Sequence, residues 1–133
     1  PRIKSVLKMI HTKRGAFNID FLSQLDLEQA KNWLKDLPGV GPKTAAVVLS
    51  FALNMPAMPV DTHIYRVSKR LGLIDQKTNI DRAHDILENS IDTCKIFSFH
   101  VYLIQHGRTV CKAQRPLCSK CILKDKCPSA FKL

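Results

Sequence analysis

The sequence predicts an all-α fold, and three observations carry that reading. Apolar residues recur at i, i+3, i+4 and i+7 along most of the chain. Capping residues and Gly or Pro stops stand at the ends of those stretches. No alternating apolar–polar run suited to a strand persists anywhere.

Residues 2–13 place Ile3, Val6, Leu7 and Ile10 at helical spacing, with Lys and Arg on the other side, and Gly15 ends the stretch. Asn18-Ile19-Asp20 opens a short turn. Asp26 suits the N-cap of the next helix, with Gln29 in the capping-box position. Its stripe is Leu27, Ala30, Leu34 and Leu37, and Pro38-Gly39 stops it; Trp33 is expected in the core or half-buried. Residues 42–54 are apolar almost all round, from Ala45 to Leu53, which predicts a central, buried helix. After a loop with two prolines, Asp61 can cap a helix running through Ile64, Val67 and Leu71 to Gly72. Asn79 or Asp81 caps another, built on Ala83, Ile86, Leu87 and Ile91. A last helix covers about 95–106 with Phe97, Val101 and Ile104 inward, and a cysteine-rich loop follows.

A length of 133 residues is room for one domain or two small ones. With 45% hydrophobic and 24% charged residues the composition is globular, and a formal charge of +10 favours a polyanionic partner. Residues 111–133 hold six Lys/Arg against Asp125 alone, so half of the net charge lies there. Four of the five cysteines share that stretch, which argues for metal or iron–sulfur ligation over a secreted disulfide framework. No apolar run reaches the ~18 residues of a membrane span, and no signal peptide is visible. An intracellular location is expected, the cytoplasm or nucleoid in a prokaryote. The chain starts at Pro1 within a helical pattern, as a fragment would.

The turn Pro38-Gly39-Val40-Gly41 lies between two expected helices. Gly39 and Gly41 leave no side chain between backbone and ligand, and Pro42 suits the first helical position. The N–H groups of such a turn and helix start can take a phosphate without reading sequence. Lys43 then stands at the positive end of a helix, where a cation is disfavoured, and covalent catalysis by a neutral amine is one explanation. Partial burial is expected to help keep that amine neutral. Asp61 could accept a proton or stabilise a developing positive charge, or serve as a plain helix cap. His63 is read as structural. Cys111, Cys118, Cys121 and Cys127 are separated by six, two and five residues, with only one close pair, which favours a [4Fe–4S] cluster over zinc. Lys112, Arg115, Lys120, Lys124 and Lys126 ring that loop. Cys94 is expected as a core thiol, and His11, His84 and His100 receive no role.

Leu37-Pro38-Gly39-Val40-Gly41-Pro42-Lys43-Thr44-Ala45, followed by Val60-Asp61-Thr62-His63, resembles the helix–hairpin–helix DNA glycosylases, endonuclease III most closely. Leu103-Ile104, His106-Gly107-Arg108 and the four-cysteine spacing continue the resemblance, which covers about residues 37–127. It implies part of a helical barrel domain over 1–60, with the helix–hairpin–helix at about 27–53. It also implies a helical iron–sulfur domain over 61–133, with the cluster loop at 111–127.

The resemblance further implies a bifunctional DNA glycosylase and abasic-site lyase of base-excision repair, acting on oxidised pyrimidines. Lys43 would attack C1′, displace the base and cut the strand by β-elimination through a Schiff base, with Asp61 as partner. Gly39, Val40, Gly41, Lys112, Arg115 and Lys120 would contact DNA, and the four cysteines would hold [4Fe–4S]. The implied partner is double-stranded DNA with damaged bases or abasic sites, bound by a monomer once the chain is complete. Lys43 argues against the adenine glycosylase branch, and the cysteines argue against the 8-oxoguanine glycosylases. The family's N-terminal portion is not matched. The alternative is a non-catalytic helix–hairpin–helix DNA-binding module with a structural metal cluster.

Overall fold

The structure is a computed structural model that describes residues 1–133. It contains six α-helices joined by short 3₁₀ and π-helical turns, and no β-strand. The chain divides into two compact units, Pro1–Pro59 and Val60–Leu133.

In the first unit α1 is Arg2–Arg14, α2 is Leu27–Lys35 and α3 is Pro42–Val47. Asp26 caps α2 by accepting the Gln29 N–H at 2.8 Å, satisfying one of the donors a helix start leaves open. Ala30, Leu34 and Leu37 then join Leu22, Ala45, Ala46, Leu49 and Ala57 in the core. Trp33 is half-buried and meets Phe21 edge-on, ring centroids 5.1 Å apart. α1 is more peripheral than its stripe suggests: Val6, Met9 and Ile10 pack on the core, but Ile3 stays 79% exposed.

The helix expected over 42–54 is divided. α3 stops at Val47, and Val48–Ala52 forms a π-helical turn. It is not buried all round either, since Ala45, Ala46, Leu49 and Ser50 face inward while Thr44, Phe51 and Ala52 are exposed. Within this unit α2 and the core cluster cover one face of α3 only.

In the second unit α4 is Thr62–Arg70, α5 is Ile80–Ser90 and α6 is Ile96–Thr109. α4 and α6 pack directly on one another. Their close approach needs Gly107, where a Cβ would lie 3.0 Å from the His63 Cβ. Asn79, not Asp81, caps α5 by accepting the Arg82 N–H at 2.9 Å. The phase expected of α6 is largely wrong: of its three residues Phe97 and Val101 are exposed and only Ile104 is half-buried, while Ile96, His100, Leu103 and Gly107 form the inward line. A histidine and a glycine weaken that line on any apolar count, so a more apolar but outward stripe outscored it.

Two further expectations fail. Cys94, expected in the core, is exposed in the short 3₁₀ turn before α6. His84, given no role, is a buried structural link. Its Nε2 accepts the Val60 N–H at 3.1 Å, and its Nδ1 lies 2.9 Å from the Ile80 carbonyl oxygen. The tautomer with hydrogen on Nδ1 satisfies both bonds.

Candidate functional site

The hairpin of the first unit is Leu37–Val40, closed by the Val40 N–H donating to the Leu37 carbonyl at 3.1 Å. Gly39 sits at φ 77°, a left-handed conformation that costs a residue with a Cβ roughly 1–2 kcal/mol. The Arg2 side chain lies over it, so that a Cβ at 39 would be 2.5 Å from the Arg2 Cδ. Gly41 differs. It caps α3 in an extended conformation, and a Cβ there would meet nothing within 4 Å. Packing within the chain gives no reason for a glycine at 41. Pro42 opens α3, and the first N–H groups behind it have no acceptor inside the helix.

Lys43 follows at the second position of α3 and is exposed, against the expectation of partial burial. The cause is helical phase: α3 turns Ala45 and Ala46 inward, which sends Pro42, Lys43 and Thr44 outward.

In the second unit Asp61 is the N-cap of α4, its Oδ1 accepting the Ile64 N–H at 2.8 Å. The cap engages Oδ1 and fixes the direction of the carboxylate. His63, the second residue of α4, has its Nδ1 3.3 Å from Arg66 Nη2.

The four cysteines come together. Cys111, Cys118, Cys121 and Cys127 line one pocket with Arg70, His106 and the apolar side chains of Leu71, Val110 and Leu117. Polar hydrogens reach their sulfurs: the Leu123 N–H points to Cys121 Sγ at 3.4 Å, and Arg70 Nη1 donates to Cys111 Sγ at 3.4 Å. His106 Nε2 lies 3.7 Å from Cys121 Sγ, and burial pushes its imidazole below the usual histidine value. No three Cys, His, Asp or Glu side chains converge closely enough to hold a single ion. Four thiols spread around one pocket, with N–H donors directed at sulfur, match a cluster of several irons better than one tetrahedral zinc.

Sequence reasoning missed the residues that tie this pocket to α4. Arg66 donates to the Gly107 carbonyl at 2.9 Å and to the Cys111 carbonyl at 3.1–3.2 Å. Arg70 donates to the Lys112 carbonyl at 2.7 Å and the Ala113 carbonyl at 3.1 Å. Their i, i+4 spacing on one helix, ahead of a basic loop, was the available signal. Lys112, Arg115 and Lys120 are all exposed around the loop, as are Lys124 and Lys126. Arg115 takes a positive φ of 48°, uncommon for a residue with a side chain.

Comparison with known proteins agrees with this geometry. The model of the helix-hairpin-helix motif matches residues 28–51. Endonuclease III of Rickettsia conorii is 46% identical over 97 residues, 73% of this chain and 46% of that protein. Endonuclease III of Bacillus subtilis is 40% identical over 122 residues, 86% of this chain and 56% of that protein. This chain belongs to the endonuclease III family. It spans about half the length of the curated relatives it matches. Two solved structures of the family are similar at 34% identity: a non-covalent endonuclease III–DNA complex, with a TM-score of 0.78 over 95% of this chain and 55% of the other, and a trapped covalent endonuclease III–DNA intermediate, with 0.77 over 96% and 56%. The fold is therefore that of the helix–hairpin–helix DNA glycosylases.

Proposed function

We propose that the protein is a bifunctional DNA glycosylase and abasic-site lyase that removes oxidised pyrimidines from double-stranded DNA. The observation that carries this reading is an exposed lysine, Lys43, two residues behind the unobstructed Gly41, in a family one of whose members has been trapped covalently on DNA. A nucleophile for a sugar carbon must be reachable, and Lys43 is.

In this reading Gly39, Val40 and Gly41 grip a backbone phosphate while the damaged nucleotide is turned out of the stack. The Lys43 amine forms a bond to C1′ as the C1′–base bond breaks, and the base leaves with the bonding pair and takes a proton. The role assigned to the Asp61 carboxylate is to stabilise the positive charge that develops on the sugar and to accept the proton lost by the amine. The C1′–O4′ bond then breaks as the nitrogen lone pair forms the imine, O4′ takes a proton, and the imine acidifies C2′–H. Loss of that proton expels the 3′ phosphate by β-elimination, and water releases the lysine. Lys112, Arg115 and Lys120 extend the phosphate-binding surface, so affinity falls steeply with salt and varies little with sequence. Cys111, Cys118, Cys121 and Cys127 hold one [4Fe–4S] cluster, which supplies cross-linking of the loop. Residues 1–60 serve as part of a barrel domain and 61–133 as the cluster domain, in a monomer working inside the cell where its DNA substrate is.

The exposure of Lys43 and the use of Asp61 as a cap also suit a second reading, a non-catalytic DNA-binding module with a structural cluster. Borohydride reduction in the presence of an abasic-site oligonucleotide decides between them. The wild-type full-length protein should form a covalent adduct and Lys43→Gln should form none. Binding without any adduct from wild type establishes the second reading.

A further inference from the structure

We propose that Arg70 is the residue that positions the two end cysteines of the loop for the cluster. The inference rests on the cluster reading above and goes beyond it, since nothing in the cysteine spacing assigns a role to an arginine forty-one residues before Cys111.

Arg70 ends α4, and both its backbone and its side chain are committed to the loop. Its Nη1 donates to Cys111 Sγ at 3.4 Å. Its carbonyl oxygen accepts from the Cys127 thiol, also at 3.4 Å. The first and the last of the four cysteines are thus held by one residue. The remaining donors bind the Lys112 and Ala113 carbonyls at 2.7 and 3.1 Å, which fixes the chain just after Cys111. Only a planar guanidinium can reach one sulfur and two carbonyls at once; an ammonium has neither the fork nor the span.

This arrangement acts before and after loading. In the thiol form Arg70 is bonded to both Cys111 and Cys127, so two of the four ligands are already tied to one residue when iron arrives. On ligation the Cys127 proton is lost, and its bond to the Arg70 carbonyl goes with it. The bond to Cys111 becomes charge-assisted and stronger, because the acceptor is now a thiolate. A cation donating to a ligand sulfur stabilises the more negative, reduced state of a cluster, which raises its potential. Arg66, one turn earlier, does not share the role: its donors go to carbonyl oxygens and to His63, and none reaches a sulfur.

The test uses the full-length protein and two variants, Arg70→Gln and Arg70→Lys. Three readouts are independent of DNA activity: iron per chain with absorbance near 400 nm, the rate of colour loss under an iron chelator, and the reduction potential. Arg70→Gln should lose its cluster roughly 10-fold faster or more, the usual scale for removing such an outer partner, and its potential should fall. Arg70→Lys keeps the charge and one donor, so it should lie between wild type and Gln on both measures. If Gln yields no soluble protein, Lys carries the test alone, and a loss rate and potential equal to wild type overturn the inference. Gln matching wild type overturns it too, while leaving the cluster itself intact. A wild-type protein that takes up no iron overturns the cluster reading and this inference together.

Discussion

Arg66 Nη2 donates to the Gly107 carbonyl oxygen at 2.9 Å, and the same glycine has no Cβ to push that guanidinium away. The bond and the missing side chain describe one contact between α4 and α6. A Cβ at 107 would stand 3.0 Å from the His63 Cβ, 3.3 Å from Arg66 Nη2 and 3.3 Å from a Val67 methyl.

Gly107→Ala should therefore destabilise the protein despite its better helix propensity. Overpacking costs about 1–3 kcal/mol, and the propensity gain returns at most about 1 kcal/mol. Two of the three crowded atoms sit on or near the α4 backbone and cannot swing aside. A lowered midpoint in chemical denaturation checks this, and an unchanged or raised midpoint means that α6 can slide.

The two hairpin glycines should separate fold from function. Gly39→Ala should lower stability by roughly 1–2 kcal/mol through its positive φ. Adding Arg2→Ala should recover little of that, because the crowding atoms belong to a flexible side chain that can move on its own. Gly41→Ala should leave stability unchanged within about 0.5 kcal/mol and weaken DNA binding at every sequence alike. Binding isotherms beside melting curves measure both, and a destabilised but fully binding Gly41→Ala contradicts the open-backbone argument.

Asp61 holds a cap and a proposed catalytic place at the same time, and two substitutions divide them. Asp61→Asn keeps an oxygen for the Ile64 N–H and should cost only a few tenths of a kcal/mol. Asp61→Ala should cost about 1 kcal/mol. Both should suppress base excision in the full-length protein. Full excision by Asp61→Asn would reduce Asp61 to its capping role.

His84 accepts the Val60 N–H where solvent is absent. His84→Leu leaves that donor without a partner, and a buried unpaired N–H costs about 1–3 kcal/mol. Faster hydrogen exchange at Val60 with a lower melting temperature is the expected signature. A Val60 amide as protected as in wild type means that another group bonds it.

Ser68 offers the opposite case, a fully buried residue whose hydroxyl has no hydrogen-bond partner. Ser68→Ala removes the orphan and loses one atom of packing, so stability should rise by about 1 kcal/mol. Calorimetry on the variant reads the sign directly.

Local rules in the sequence were enough for much of this molecule. Helix starts at Asp26 and Asp61, the stop at Pro38-Gly39 and the stripe Ala30–Leu34–Leu37 each depend on residues within a few positions of one another. So do the hairpin, the lysine behind it and the cysteine spacing. Chemistry that is local in the chain is legible in the chain.

What the sequence by itself determined was the helical class, the hairpin and the four-cysteine loop, and with them the family. The tertiary structure decided what depends on partners distant in sequence. It turned α6 so that His100 and Gly107 face inward in place of Phe97 and Val101, put Cys94 at the surface and left Lys43 exposed. It also gave His84 to Val60, and Arg66 and Arg70 to a loop some forty residues away. The physical reason is the same in each case. Helical period states which residues share a face, but which face is covered, and which donor meets which acceptor, is settled only when another segment packs against it.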